Sequence, residues 1–162
     1  MDNQEFYSSL IKTINPNNIL SFGSNSNPIE LTNLNVLIGP NGSGKSNLIE
    51  VINLLRSSPT DLRDIIRKGG GTAEWIWKGD SDAIASIDVI IDNPKGKQSL
   101  RHVISFRQES QAFVLEDERI ENAEPYRGEI RPFFYYLYNH GSPVIGKLND
   151  EGERNLAKET IT

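Results

Sequence analysis

The sequence predicts a mixed α/β fold with α+β character, and three observations lead there. A short apolar run at residues 35–38 feeds a glycine-rich loop at 39–46, and the loop opens a helix with an apolar face. Beyond residue 72, segments with strand periodicity follow one another without a long helical pattern between them. The turn Asn93-Pro94-Lys95-Gly96 is short enough to make its flanking strands antiparallel neighbours. The expected organisation is a loop-bearing α/β part over 1–72 and an antiparallel β-lobe over 73–150. Residues 151–162 then start a following, truncated element.

Phe6, Leu10, Ile11 and Ile14 stand at helical spacing and predict a helix over 5–14, stopped by Asn15-Pro16-Asn17-Asn18. Residues 19–22 read as a strand, 23–28 as a turn-rich connection, and 29–34 and 35–38 as further extended segments. A helix begins near Gly44, and Leu48, Ile49, Val51, Ile52, Leu54 and Leu55 give it a wide apolar face that implies deep burial. Ser58 before Pro59 reads as an N-cap for a second helix over 61–68, ended by Gly69-Gly70-Gly71. Residues 73–78, 83–92, 100–108 and 112–120 read as strands, with 133–138 and 143–148 as further ones. The polar tail 151–162 reads as helical.

The chain has 162 residues, enough for one domain or part of one. Its net charge of −5 argues against a whole-surface affinity for nucleic acid, although a local basic patch stays open. With no cysteine, disulfides and cysteine-based zinc or iron–sulfur sites are excluded, which suits a reducing compartment. No basic segment precedes an apolar run at the start, and no apolar stretch approaches the roughly 20 residues that span a bilayer. The expectation is a cytoplasmic protein with no membrane partner.

The chemistry concentrates in Gly39, Pro40, Asn41, Gly42, Ser43, Gly44, Lys45, Ser46 and the following Asn47. The first eight satisfy G-x-x-x-x-G-K-[ST] at every fixed position. Glycines let the backbone fold tightly, so that several N–H groups converge on phosphates. The helix beginning at Gly44 adds its positive dipole end. Lys45 supplies a point charge for β- and γ-phosphates, and the Ser46 hydroxyl is the expected Mg²⁺ ligand. The required strand before and helix after are both predicted, which weighs against an incidental glycine-rich turn. The implied ligands are ATP and Mg²⁺.

The run from Asn35 to Leu48, with Asn47-Leu48 after the serine, resembles the Walker A region of ABC-type ATPases related to RecF and SMC proteins, in the branch labelled AAA-family predicted ATPases. Ile19-Leu20-Ser21-Phe22 is similar to that family's first strand. Asp64-Ile65-Ile66-Arg67-Lys68-Gly69-Gly70 is similar to the segment after its Walker A helix, and residues 114–120 resemble a strand of its β-lobe. The resemblance implies a P-loop NTPase core lobe with an antiparallel β-subdomain, as an incomplete ATPase head. It further implies that two heads sandwich two nucleotides as a homodimer, with DNA or a nuclease as a partner. By resemblance, Ser21, Phe22 and Gly23 lie near the base or ribose.

The family also needs a Walker B Asp-Glu pair, a Leu-Ser-Gly-Gly-like signature and a switch histidine, and no Leu-Ser-Gly-Gly occurs here. Residues 87–93 imitate Walker B with Asp92, but Asp88 interrupts the apolar run and Asn93 stands where glutamate is needed. The alternation favours an ordinary hairpin strand. No catalytic residue is therefore assigned, and turnover is expected only in a complete head. The alternatives are a non-catalytic nucleotide-binding assembly module and a compact phosphotransferase using Asp92; the β-rich second half argues against the latter.

Other clusters have plainer readings. Arg63, Arg67 and Lys68 read as a solvated helix face before a DNA-proximal set. Trp75 and Trp77 share a strand face and read as packing before base stacking. Alternation lets only Glu116 and Glu118 of the acidic run converge, His102 and His140 read as structural, and residues 133–136 read as a hydrophobic block.

Overall fold

In a computed structural model, residues 9–139, 141–148 and 154–157 are described. Among the described residues, eight strands form one antiparallel sheet: β1 (Ile11–Asn17), β2 (Ile29–Glu30), β3 (Ala85–Ile91), β4 (Leu100–Glu109), β5 (Ala112–Asn122), β6 (Phe134–Asn139), β7 (Ser142–Leu148) and β8 (Arg154–Ala157). Their order is β2-β1-β3-β4-β5-β6-β7-β8, so from β3 onward the sheet is a simple meander. Three helices, α1 (Lys45–Ser57), α2 (Leu62–Lys68) and α3 (Thr72–Trp75), lie between β2 and β3 in the chain.

Alternation sets the faces. Ala85, Ile87 and Val89 of β3 are buried, and register places Ala85 opposite Phe106 and Ile87 opposite Ile104. These residues and Ile14 of β1 pack against Leu48, Val51, Leu54 and Leu55 of α1, Leu62 and Ile66 of α2, and Trp75 of α3. The core is thus a helical layer on one face of the sheet, and β6 to β8 contribute nothing to it among the described residues.

Several expectations are corrected. Ile11 and Ile14 belong to strand β1 instead of a helix; the remainder of that predicted helix, up to residue 8, lies outside the described residues. Thr13 and the isoleucines are β-branched and suit a strand. Pro16 is accommodated because β2 covers only Thr13 and Ile14, leaving β1 an edge beyond them. Residues 19–22 make a tight turn, with Ile19 and Phe22 exchanging backbone bonds of 3.0 and 2.9 Å and Leu20 at φ 53°. Residues 73–78 hold α3 where a strand is predicted, because Gly71 at φ 93° turns the chain into a helical turn. Only Ile76 keeps an extended pairing, a bridge to Ile19. The cap of α2 is Asp61, not Ser58: its carboxylate accepts from the N–H groups of Arg63 and Asp64. The tail holds strand β8 where a helix is predicted, satisfying the edge of β7. The α1 helix is one-sided, since Ile49 is 52% exposed.

The largest correction concerns residues 35–38. They form no strand, and Val36, Leu37 and Ile38 are 73, 44 and 90% exposed. None of the three makes a backbone hydrogen bond to another described residue. Their apolar character predicts a strand, but among the described residues no strand comes alongside to pair with them.

Candidate functional site

Helix α1 begins in an unusual way. Its cap is Gly44 in the left-handed region, φ 89° and ψ 2°; no side chain bonds to the helix end, and no acid lies in the first turn. The first backbone N–H groups of a helix have no intrahelical acceptor, so this terminus presents free donors and the positive dipole end together. An anion is what such a terminus accommodates.

The loop wraps this terminus. Gly42 has φ 80°, and the N–H of Ser43 donates to the Pro40 carbonyl at 3.3 Å. The Lys45 ammonium donates to the carbonyls of Gly39 at 2.8 Å and Pro40 at 2.7 Å and to Ser43 Oγ at 3.1 Å. Lys45 is thereby held over the loop by three oxygens. The Ser46 hydroxyl has no hydrogen bond to another described residue. Asn41, Gly42, Ser43, Gly44, Lys45, Ser46 and Asn47 line a hollow of about 200 Å³. That is below the roughly 300–1,000 Å³ of drug-sized ligand sites, and it suits phosphate groups without the nucleoside. The donor set therefore fits the phosphates of a nucleotide, with Ser46 available to a cation beside them.

Ser21 is a neighbour that the motif does not include. A Cβ built on Gly44 would come within 2.9 Å of Ser21 Oγ, so the turn at residues 19–22 presses against the start of α1. Only glycine fits there, by both space and backbone angle. Phe22 packs on the core, and Gly23 faces the Trp77 ring. Of these three, Ser21 alone adjoins the loop.

The other candidate residues disperse. Asp92 is bound by Lys12 at 2.8 Å, and Asp88 by Arg101 at 2.6 Å on the opposite face of β3 from the core. Asp88 sits on the antiparallel hairpin strand β3, as the alternation predicts, and Asp92 follows that strand's last residue, Ile91. Arg67 and Lys68 both close on Asp64, at 2.7 and 2.6 Å, and hold its carboxyl below the usual carboxylate range, with Lys68 the stronger influence. The Arg63 guanidinium has no partner among the described residues and faces a cleft with Thr72 and Gln111, while its backbone N–H donates to Asp61. Trp75 is buried on α3 while Trp77 is half-buried beyond it, so the two do not form a shared strand face. A bulge in β5 gives the acidic run separate partners: Glu116 meets Arg107, Asp117 meets Arg119, and Glu118 lies 3.4 Å from His102 Nε2. His140 lies outside the described residues. Phe133 is 5% exposed, and Phe134 and Tyr135 are half-buried.

Two features escape the motif search. One is the lack of a cap on α1, whose signal is the absence of Asp, Glu or Thr at residues 44–48. The other is an ionic ladder, Asp88–Arg101–Glu121, across three strands on the sheet face away from the helices. Its charges alternate within strands whose pairing only the register reveals. Beside Asp88, the Arg101 guanidinium is held more firmly protonated than usual despite partial burial.

Among the described residues, no helix is long and apolar enough to cross a membrane. No curated protein and no solved structure matches the chain significantly. Residues 34–147 match the family model described as "AAA domain, putative AbiEii toxin, Type IV TA system". The match starts just before the glycine-rich loop and runs into β7. With more than two thirds of its length inside that match, this chain belongs to the AAA-domain family, and it carries a nucleotide-binding, P-loop ATPase-like domain.

Proposed function

We propose that this chain is the ATP- and Mg²⁺-binding N-terminal lobe of an ABC-type ATPase head of the RecF/SMC-like group. The observation that carries this reading is the uncapped N-terminus of α1, with Lys45 poised over it by loop oxygens. Gly39 to Asn47 act as the Walker A region. Backbone donors at 42–46 hold the phosphates, Lys45 turns from its carbonyl partners toward the β- and γ-oxygens, and Ser46 holds the cation. When bound, MgATP supplies the γ-phosphate that water attacks. The exchange is favourable for Lys45 because anionic oxygens replace neutral carbonyls.

Turnover requires more than the described residues bring to the loop. Asp92 is engaged by Lys12, and the acidic run is dispersed over separate partners. The unpaired, exposed residues 36–38 support completion by strands of a further lobe, since a strand leading into a phosphate loop normally lies inside a sheet. In this reading residues 1–72 and 73–150 are the two parts of the lobe, and a second head completes the nucleotide site. DNA or a nuclease is the partner that such a head drives.

The test is equilibrium binding of a fluorescent ATP analogue to the chain with and without Mg²⁺. Lys45→Ala is expected to weaken binding at least about tenfold, the scale of one lost charge-assisted bond. Unchanged affinity in that variant rejects the phosphate-loop assignment. Steady ATP turnover by the chain alone rejects the need for a complementary lobe.

A further inference from the structure

The sheet face away from the helices carries a cleft that shares no residue with the glycine-rich loop. A cleft of about 640 Å³ lies where β4, β5 and β6 meet the connection at 123–133. Its walls combine three arginines, Arg101, Arg119 and Arg131, with an apolar floor of Pro132, Phe133, Phe134 and Leu137; Glu121 and Glu129 complete the lining.

The three guanidinium groups differ in what they have left to give. Arg101 is spent: its Nε and one terminal nitrogen bind Asp88, and the other terminal nitrogen binds Glu121. Glu121 is itself buried, at 8% exposure, and its charge is matched by Arg101. Arg119 reaches Asp117 at 3.1 Å through one terminal nitrogen, but its Nε is buried and has no acceptor. A buried donor without an acceptor is costly, and the exposed part of this guanidinium, 36% of the side chain, retains bonding capacity. Arg131 makes no hydrogen bond or ion pair with any described residue.

From these observations we infer that the cleft binds a small organic acid, its carboxylate taken by Arg119 and Arg131 and its apolar body laid on Phe133, Phe134 and Leu137. The volume is that of a small-molecule site, with charged side chains on its walls and an apolar floor beneath them. Planar guanidinium forks match a carboxylate. A nucleic-acid strand fits less well. Asp88, Asp117, Glu121 and Glu129 stand among the arginines, so the face offers no continuous basic track.

Isothermal titration of the full chain with 4-phenylbutyrate tests this, with 4-phenylbutanamide, inorganic phosphate and a dT oligonucleotide as comparisons. The acid is expected to bind, and Arg131→Gln to weaken it about tenfold while ATP-analogue binding is unchanged. Lys45→Ala is expected to leave acid binding intact, which separates this cleft from the phosphate loop. Equal binding of the amide overturns the role of the arginines, and equal binding of inorganic phosphate overturns the role of the apolar floor. Tighter binding of the oligonucleotide at this cleft, no binding of the acid, or an unaffected Arg131→Gln variant each overturns the proposal.

Discussion

Helices α1 and α2 begin within twenty residues of each other and are finished in opposite ways. Asp61 accepts from two backbone donors at the start of α2, and Asp64 adds negative charge to its first turn. At α1 the corresponding donors meet neither a cap nor an acid, and glycine replaces the usual Ser, Thr, Asp or Asn. The short helix is made self-sufficient; the long one, anchored by Leu48, Val51, Leu54 and Leu55, is left electrostatically open. A helix held by packing tolerates an unsatisfied end, and that end is where an external anion is most stabilised.

The contrast can be attacked from both sides. The largest effect is expected from Gly44→Ala, which forces a side chain into the left-handed region and against Ser21 Oγ. A loss of about 1–2 kcal/mol in denaturant unfolding is expected from the backbone angle. Adding Ser21→Gly is expected to recover part of it; no recovery would show that the turn at residues 19–22 does not press on the loop. Next, Asp61→Ala removes the α2 cap and is expected to cost about 1 kcal/mol with nucleotide affinity unchanged. If affinity falls with it, the two termini are not independent. The smallest effect comes from Asn47→Asp, which gives α1 the first-turn acid it lacks. A gain of roughly 0.3–1 kcal/mol is expected from the helix dipole, with weaker ATP binding through like-charge repulsion. A variant that gains stability and keeps its nucleotide affinity would break the link between the open terminus and phosphate binding.

The same contrast explains what could be read in advance. Local chemistry was legible: the loop from Gly39, the helix after Gly44, and the hairpin around Asn93-Pro94-Lys95-Gly96, which closes with a 3.0 Å bond from the Gly96 N–H to Asn93. The strands β3 and β4 were legible because Ile87-Asp88-Val89 and His102-Val103-Ile104-Ser105-Phe106 alternate on either side of that turn. Elements that depend on distant partners were not. Ile11 and Ile14 stand three apart, a helical spacing that a regular strand would split between its faces; a register shift between Ile11 and Thr13, and pairing with Ile91 and Val89, decide for the strand. Residues 73–78 are rich in tryptophan and isoleucine, but three glycines upstream permit the turn that starts α3. Residues 35–38 have strand character and, among the described residues, no strand to join. For the site itself, the motif identifies which residues line the hollow, while the contact of Ser21 with Gly44 required the fold.

The place of β1 has one further consequence, for how the chain assembles. From β3 to β8 every pairing joins consecutive strands, so these contacts are local and close quickly. The β1–β3 pairing is the exception: it joins Ile14 to Val89, and the whole loop-and-helix segment is threaded between them. Closing that long excursion carries a larger entropic cost than any hairpin of the meander. The meander can therefore form without the phosphate loop, but the core beneath α1 is complete only when β1 docks. The half that carries the glycine-rich loop is the part whose formation is slow, and any ligand seated on α1 would favour the docked arrangement by mass action.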